Sequence, residues 1–279
     1  MATTIITPEI FSDAVNEKLD VSLRVAPLAF DATPMVGDIQ NAGSKVNFPT
    51  FKRLSDATEV VKGIDLIPDA LDMNGNEATV KQVAKAVRVY DIDSAQVKGA
   101  TIDNMATQLA ELIQKKLDGD LVTAMDTDAI YKTATVGTNA FTIEEFETAM
   151  SSFGDNVDTD SFAGILIHSS VLGSLRQLDD FKDANVTYVT GGNGIVHNGV
   201  VGYLMGIPVI VCNNNTKADS EAKTYIIKKN ALGYVFQKAI TTVQDYVPLA
   251  LATDIVSSTL YATKLIDTKG VCIMRKTVA

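Results

Sequence analysis

The sequence predicts a mixed α+β protein built around one long helix, and three observations lead to that reading. First, the apolar residues Ile102, Met105, Leu109, Leu112, Ile113, Leu117, Leu121 and Met125 recur three or four apart, while Asp103, Gln108, Glu111, Lys115 and Asp118 face away. This spacing predicts an amphipathic helix over 101–127, about 40 Å long at 1.5 Å per residue. Second, the first third reads as strands, with alternating residues and an Asn74-Gly75 dipeptide between extended runs. Third, the second half mixes strands and short helices without a repeating βαβ unit or an internal repeat.

Taken in order, Thr7-Pro8-Glu9 has the capping hydroxyl, early proline and early acid of a helix start, and a short amphipathic helix to about Leu19 follows. From Val36 to Phe51 the reading is strand, with Val46 and Phe48 alternating against Lys45 and Asn47 until Pro49 stops the ladder. Two extended runs, 60–71 and 78–90, are read as a projecting hairpin turned at Asn74-Gly75. A lone hairpin of that length is marginal in water, so another subunit is expected to complete it.

After the long helix, Thr142-Ile143-Glu144-Glu145 reads as a capping box opening a helix through Met150. Phe162–Ile167 is a buried strand, Ser169–Leu178 a helix, and Asp179-Asp180-Phe181 its closing turn. Strands at Val186–Val189 and Gly199–Val211 bracket a glycine-rich stretch, with Gly206-Ile207-Pro208 turning into a buried strand that Asn213-Asn214-Asn215 closes. Tyr225–Lys228, Gly233–Phe236 and a β-rich tail through Met274 finish the chain.

The 279 residues and 46% hydrophobic content suit a folded protein with a sizeable core. Net charge is −10, and the segment from Asp118 to Asp160, with ten acids against Lys132 alone, holds −9 of it. Grouped Lys and Arg are what phosphate gripping needs, so their absence argues against duplex binding as the main activity. Cys212 and Cys272 are too few for a disulfide framework. No basic leader precedes an apolar run, and no window approaches 18 consecutive apolar residues, so neither export by that route nor a membrane span is expected.

Chemistry-bearing patterns are weak. Gly191-Gly192-Asn193-Gly194 lacks the Lys-Ser/Thr of a phosphate loop, and a further turn follows it instead of a helix. His168 and His197 are the only histidines and stand at no ligand spacing. Cys212 ends an apolar strand, where cysteine behaves as a small hydrophobe, although a Cys–His pair is formally open to it. Asp155, Asp158 and Asp160 beside Gly154 miss the twelve-residue calcium pattern and its terminal Glu. The sequence thus calls for no catalytic residue, metal or cofactor. Lys52, Arg53 and Lys62 on the arm, with Lys85 and Arg88 on its second strand, are the candidate subunit-interface residues, facing either solvent or the acids of a neighbouring copy.

The order of parts carries a resemblance. A leading arm helix, the strand with Gly43-Ser44-Lys45-Val46-Asn47-Phe48-Pro49, the Ala78-Thr79-Val80-Lys81-Gln82 strand, the long helix and the run from Val196 through Gly206-Ile207-Pro208-Val209 together resemble the major capsid proteins of tailed bacteriophages with the Hong Kong 97 fold. The similarity spans about Val36 to Met274. It implies an N-terminal arm over 1–35, an extended loop and its root strands over 36–93, a spine helix and peripheral domain over 94–160, and an axial domain with return strands over 161–279. It further implies an icosahedral shell of hexamers and pentamers around double-stranded DNA held without sequence-specific contact, made in a host cytoplasm and located in the virion. Because the fold begins almost at Met1, a separate scaffolding protein is expected, together with a portal protein and no membrane partner. Two rivals stand beside it: an encapsulin-type nanocompartment of the same fold, and a soluble α/β enzyme with a site around His168, Asp180 and Cys212.

Overall fold

The computed structural model describes residues 23–35, 43–51, 71–92, 101–136, 141–178 and 200–277, together with positions 54, 57, 59, 68 and 70. In chain order, a 3-10 turn Ala26–Leu28 leads into strand β1 (Phe30–Asp31), then β2 (Lys45–Phe51), β3 (Met73–Thr79) and β4 (Lys81–Tyr90). Helix α1 (Thr101–Asp128) follows, then β5 (Tyr131–Lys132), α2 (Ile143–Ser151), β6 (Phe162–Ile167) and α3 (Ser169–Leu175). The last part is all strand: β7 (Val200–Leu204), β8 (Ile207–Val211), β9 (Lys217–Ala218), β10 (Glu221–Lys228), β11 (Leu232–Val247), β12 (Ala252–Leu265) and β13 (Val271–Thr277).

The strands form three sheets. One runs β1-β11-β12-β4, a second runs β5-β13-β10-β6-β8-β7 with β9 alongside β10, and β2 and β3 make a two-stranded ribbon. Helix α1 joins the two larger sheets. Its first half buries Leu109, Ala110 and Ile113 against Ile240 and Ile255 of the long β11–β12 ribbon. Its second half buries Leu117, Leu121 and Met125 among Leu166, Tyr225 and Ile273 on one sheet and Leu232, Tyr261 and Leu265 on the other. On the far side of the larger sheet, Phe146 and Ala149 of α2 and Val171 and Leu175 of α3 cover Ile165, Ile167, Val209 and Ile226. With both of its faces covered, β6 reads as the near-continuous apolar run Phe-Ala-Gly-Ile-Leu-Ile.

Helix α1 spans 28 residues, one more than its periodicity predicts, and two of its residues depart from their expected faces. Leu112, placed on the packing stripe, is 48% exposed, whereas Asp118, placed on the wet face, is fully buried. Period alone distinguishes faces but not flanks, and Asp118 lies on a flank that the chain near Arg24 covers.

The hairpin reading needs correction. Asn74-Gly75 makes no turn: both residues lie inside β3, with Asn74 opposite Thr50 and Gly75 opposite Pro49. Cross-strand pairing overrides the turn preference of the dipeptide, and at Gly75 a Cβ would come within 2.9 Å of the Asn47 side chain. Pro49 does not end β2, which continues to Phe51, because β2 has an unpaired side on which a missing N–H costs nothing. The run from 81 to 90 is completed by its own chain, pairing residue for residue with Tyr261 back to Ala252. The part of the other run between 60 and 67, the leading helix at 7–19, the strand start at 36–42, the turn at 179–181 and the stretch 186–199 lie outside the described residues.

Helix α2 starts where the capping box places it, at Thr142, but without the side-chain bond of that motif. Its Glu145 instead pairs with Lys276 of β13. The Met205-Gly206 turn joins β7 to β8 with φ of +49° and +81°, left-handed geometry that Gly206 adopts without steric cost.

Candidate assembly surfaces

Of the ten acids between Asp118 and Asp160, half serve the interior. Asp118 accepts backbone N–H groups from Arg24, Val25 and Ala26. Asp120, 6% exposed, accepts the Tyr261 hydroxyl at 2.9 Å and the Lys116 ammonium at 3.0 Å, with Lys81 of β4 at 3.4 Å. Asp126 pairs with Lys223 of β10 and Asp128 with Lys264 of β12, both at 2.7 Å. Carboxylates therefore pin α1 to the entering chain and to three different strands. Burial and the neighbouring Asp120 charge push the Tyr261 hydroxyl well above its usual range, so it stays a donor. The remaining exposed acids, Glu144, Glu147, Asp155, Asp158 and Asp160, form a wet face along α2 and the turn after it.

The β2–β3 ribbon is anchored at its root and exposed beyond it. Val46, Phe48 and Ala78 pack with Ala32, Val235 and Ala262. Asn76 Nδ2 donates to the Ile266 carbonyl at 3.0 Å and fixes the ribbon to the end of β12. Toward the far end, Leu54, Leu71 and Met73 are 52–62% exposed.

A second apolar projection is the end of the β11–β12 ribbon, where Val243, Tyr246, Leu249 and Leu251 stand in solvent beside Tyr90 and Ile92. It is held in shape. Pro248 opens a 3-10 turn, Leu251 takes a left-handed φ of +44°, Asp91 N–H donates to the Leu251 carbonyl, and the Tyr246 hydroxyl donates to Asp91. The turn thus presents Leu249 fully exposed at the end of the ribbon.

Of the sequence-predicted interface residues, Lys52, Arg53 and Lys62 lie outside the described residues. Lys85 is exposed on β4. Arg88 is committed within its own chain: its guanidinium grips Asp254 through two bonds of 2.6 and 2.7 Å, which holds that carboxyl below its usual range. Sequence reading missed the β11–β12 tip, whose signal was the Tyr246-Val247-Pro248-Leu249-Ala250-Leu251 run, polar nowhere and broken by proline.

Of the residues of the enzyme rival, His168 and Cys212 are described and follow the paired ends of β6 and β8, with no hydrogen bond between their side chains among the described contacts. His168 caps α3, its Nδ1 accepting the Ser170 N–H, and burial and the Lys217 charge hold its pKa below the usual value. Cys212 is 4% exposed, its N–H donates to the Ile167 carbonyl, and burial pushes its thiol up to about 11. Asp180 is outside the described residues. Cys272, also buried, is likewise raised to about 11. With both thiols this far from the thiolate form, the native protein at pH 8 is expected to leave an aromatic disulfide reagent unreacted over minutes, and two thiols per chain are expected to react on unfolding. Rapid release from native protein would mean that one of the sites opens. Among the described residues no three His, Cys, Asp or Glu side chains are grouped as a metal site, and no helix is long and apolar enough to cross a membrane.

Comparison with known proteins agrees with this architecture. No family model matches the chain. It is 23% identical over 236 residues to the major capsid protein of Staphylococcus phage phiMR11, an alignment covering 84% of this chain and 80% of that one. In structure it is similar to the capsid of a native GTA particle, with a TM-score of 0.68, 9% identity, and 100% and 93% of the two chains covered. It is likewise similar to the head of Helicobacter pylori bacteriophage KHP40, with a TM-score of 0.67, 11% identity, and coverage of 93% and 91%. The long helix across two sheets, with the β2–β3 and β11–β12 ribbons beside them, is thus a Hong Kong 97-type capsid fold.

Proposed function

We propose that this chain is a major capsid protein, a structural and non-enzymatic subunit whose copies close into an icosahedral shell around double-stranded DNA. The observation that carries the reading is the likeness to capsid and head subunits over nearly the whole chain, in a body whose described residues Leu54, Leu71, Met73, Leu249 and Leu251 stand exposed on two ribbons. Closure needs no single strong contact. Each copy makes several contacts with different neighbours, and once a ring has formed the later contacts are made at high effective concentration. In this reading the residues between β2 and β3 are the arm that overlaps a neighbour, and α1 is the spine of the peripheral domain. Residues 161–279 supply the axial domain and the return strands.

Lys52, Arg53, Lys62 and Lys85 are proposed to meet the exposed acids of α2 and its following turn on a neighbouring copy, a salt-sensitive contribution to register. A shell whose wall lacks grouped cations would release its DNA readily, which suits packaging and ejection. A portal and a separate scaffolding protein are the further partners of this reading, with synthesis in the host cytoplasm and residence in the virion. The relatives named above, which are phage and GTA particles, lend the encapsulin rival no support.

Negative-stain microscopy of purified protein tests the proposal: closed shells are expected, and monomers under every condition of salt and concentration would overturn it. The arm has its own test. Phe51 and Met73 are paired directly, so residues 54–70 can be replaced by a short Gly-Ser turn without disturbing the root. The product is expected to be folded and soluble and to form no shells. Removing 60–90 would be uninformative, since it deletes β4 from its sheet.

A further inference from the structure

Between the larger sheet and the two helices α2 and α3 lies a cavity of about 250 Å³. Its floor follows from the alternation of β13, which puts Met274 and Lys276 on one face, with Thr224 of β10 directly opposite Met274. Arg275, between them, carries its guanidinium on the other face, with Nε 3.8 Å from Glu221. Val171 of α3 and Phe141, whose N–H donates to Ser174 Oγ at 2.8 Å, line the inner side, and Glu145 and Thr148 complete the lining from α2. Phe141, Val171, Thr224, Met274 and Lys276 are each no more than 6% exposed. Thr148 and Ala134 are exposed and mark the mouth.

Three polar groups keep unused bonding capacity in this mostly apolar space. The Thr224 hydroxyl has no hydrogen-bond partner among the described residues. The Lys276 ammonium gives one of its three protons to Glu145 Oε2, and Glu145 Oε1 accepts none among the described residues. A buried hydroxyl and a buried ammonium in this state favour an occupant that completes their bonds. Water alone fills the space poorly, because Phe141, Val171 and Met274 offer it no partner. The Lys276–Glu145 pair carries no net charge, so neither an anion nor a cation has an advantage there. A hydroxyl does, since it donates to Glu145 Oε1 while accepting from the Lys276 ammonium or from Thr224. A dry cavity of about 150 Å³ binds benzene, so this one has room for a single substituted ring beside Phe141 and the Met274 thioether. We propose that the cavity between α2, α3 and β13 is a binding site for a small uncharged phenol, its ring among Phe141, Val171 and Met274 and its hydroxyl at the Lys276–Glu145 pair and Thr224. The site lies within one subunit and does not depend on shell formation.

The test titrates p-cresol, toluene, benzoate and benzylamine into the purified full-length chain at neutral pH, with binding read by isothermal titration and saturation-transfer NMR. The wild type is expected to bind p-cresol about tenfold more tightly than toluene, the worth of one hydrogen-bonded head group, and to bind benzoate and benzylamine no more tightly than toluene. Thr148→Trp plugs the mouth from an exposed position, and is expected to keep native circular dichroism and to weaken p-cresol binding about tenfold. Ala134→Trp blocks the same mouth from the β5 side, should Thr148→Trp not fold. Thr224→Val keeps the side-chain shape without the hydroxyl. It is expected to bind toluene as the wild type does and to narrow the preference for p-cresol about threefold. No p-cresol binding by the wild type, toluene bound as tightly as p-cresol, or a preference for benzoate or benzylamine would overturn the proposal. So would unchanged p-cresol binding in a folded mouth variant, or an unchanged preference in Thr224→Val.

Discussion

Leu109→Asp is expected to yield no folded subunit. Leu109 is 1% exposed and packs with Ala110, Ile113, Ile240 and Ile255 where α1 crosses the β11–β12 ribbon. Losing the leucine there costs about 2–5 kcal/mol, since neighbouring strands cannot collapse into the gap. Placing an unpaired carboxylate in the same space adds several kcal/mol more, and the total is comparable with the roughly 5–15 kcal/mol that stabilises a typical fold. The variant should appear in the insoluble fraction or show a coil spectrum. Leu112→Asp, one helical turn away and half exposed, is the matched control and is expected to fold normally. A soluble Leu109 variant with native circular dichroism would mean that α1 does not lie on the ribbon as described.

The second large effect is expected at Lys276. Its ammonium, with a side chain only 8% exposed, bonds to Glu145 across the junction of β13 and α2. The pair stands at the wall of a cavity of about 250 Å³ whose lining includes Phe141, Val171 and Met274. Lys276→Ala removes the cation and leaves Glu145, whose side chain is 22% exposed, without this partner, a loss of about 1–3 kcal/mol. Lys276→Met with Glu145→Leu removes both charges and retains volume, and is expected to recover most of that loss. Denaturant melts of Lys276→Met, Glu145→Leu and the double variant measure the coupling. If Lys276→Met were no less stable than the double variant, the unpaired Glu145 charge would not be what costs the stability.

How much of this was legible depends on which force decides each element. Wherever burial sets the pattern, the sequence speaks directly: the α1 periodicity, the Phe162–Ile167 run and the Gly206 turn all appear where their residues place them. It misleads where a distant partner outweighs a local preference. Asn74-Gly75 has the chemistry of a turn, yet pairing with Pro49 and Thr50 draws it into a strand. Asp118 has the character of a surface residue, yet three N–H groups from the far side of the sequence bury it. Thr142 and Glu145 spell a capping box, but a buried lysine claims the glutamate first. No local window contains those partners. The assembly surfaces divide in the same way: the ribbon tip at Leu249 is visible only once β11 and β12 are known to pair and project, and Arg88 looks available until Asp254 is found beside it.

The pairing of the chain's beginning with its end has a consequence for synthesis. Phe30 and Asp31 lie beside Gly233 and Tyr234, β4 takes its partner from Tyr261 back to Ala252, and Asn76 waits for the carbonyl of Ile266. Contacts this far apart form late, because the entropy of closing such long loops must be overcome before the contacts can repay it. A nascent chain on the ribosome therefore lacks a finished body until β12 and β13 have emerged, and one terminated before them never acquires it. A fragment that stops before β12 thus leaves both β4 and β11 without the strand that joins them.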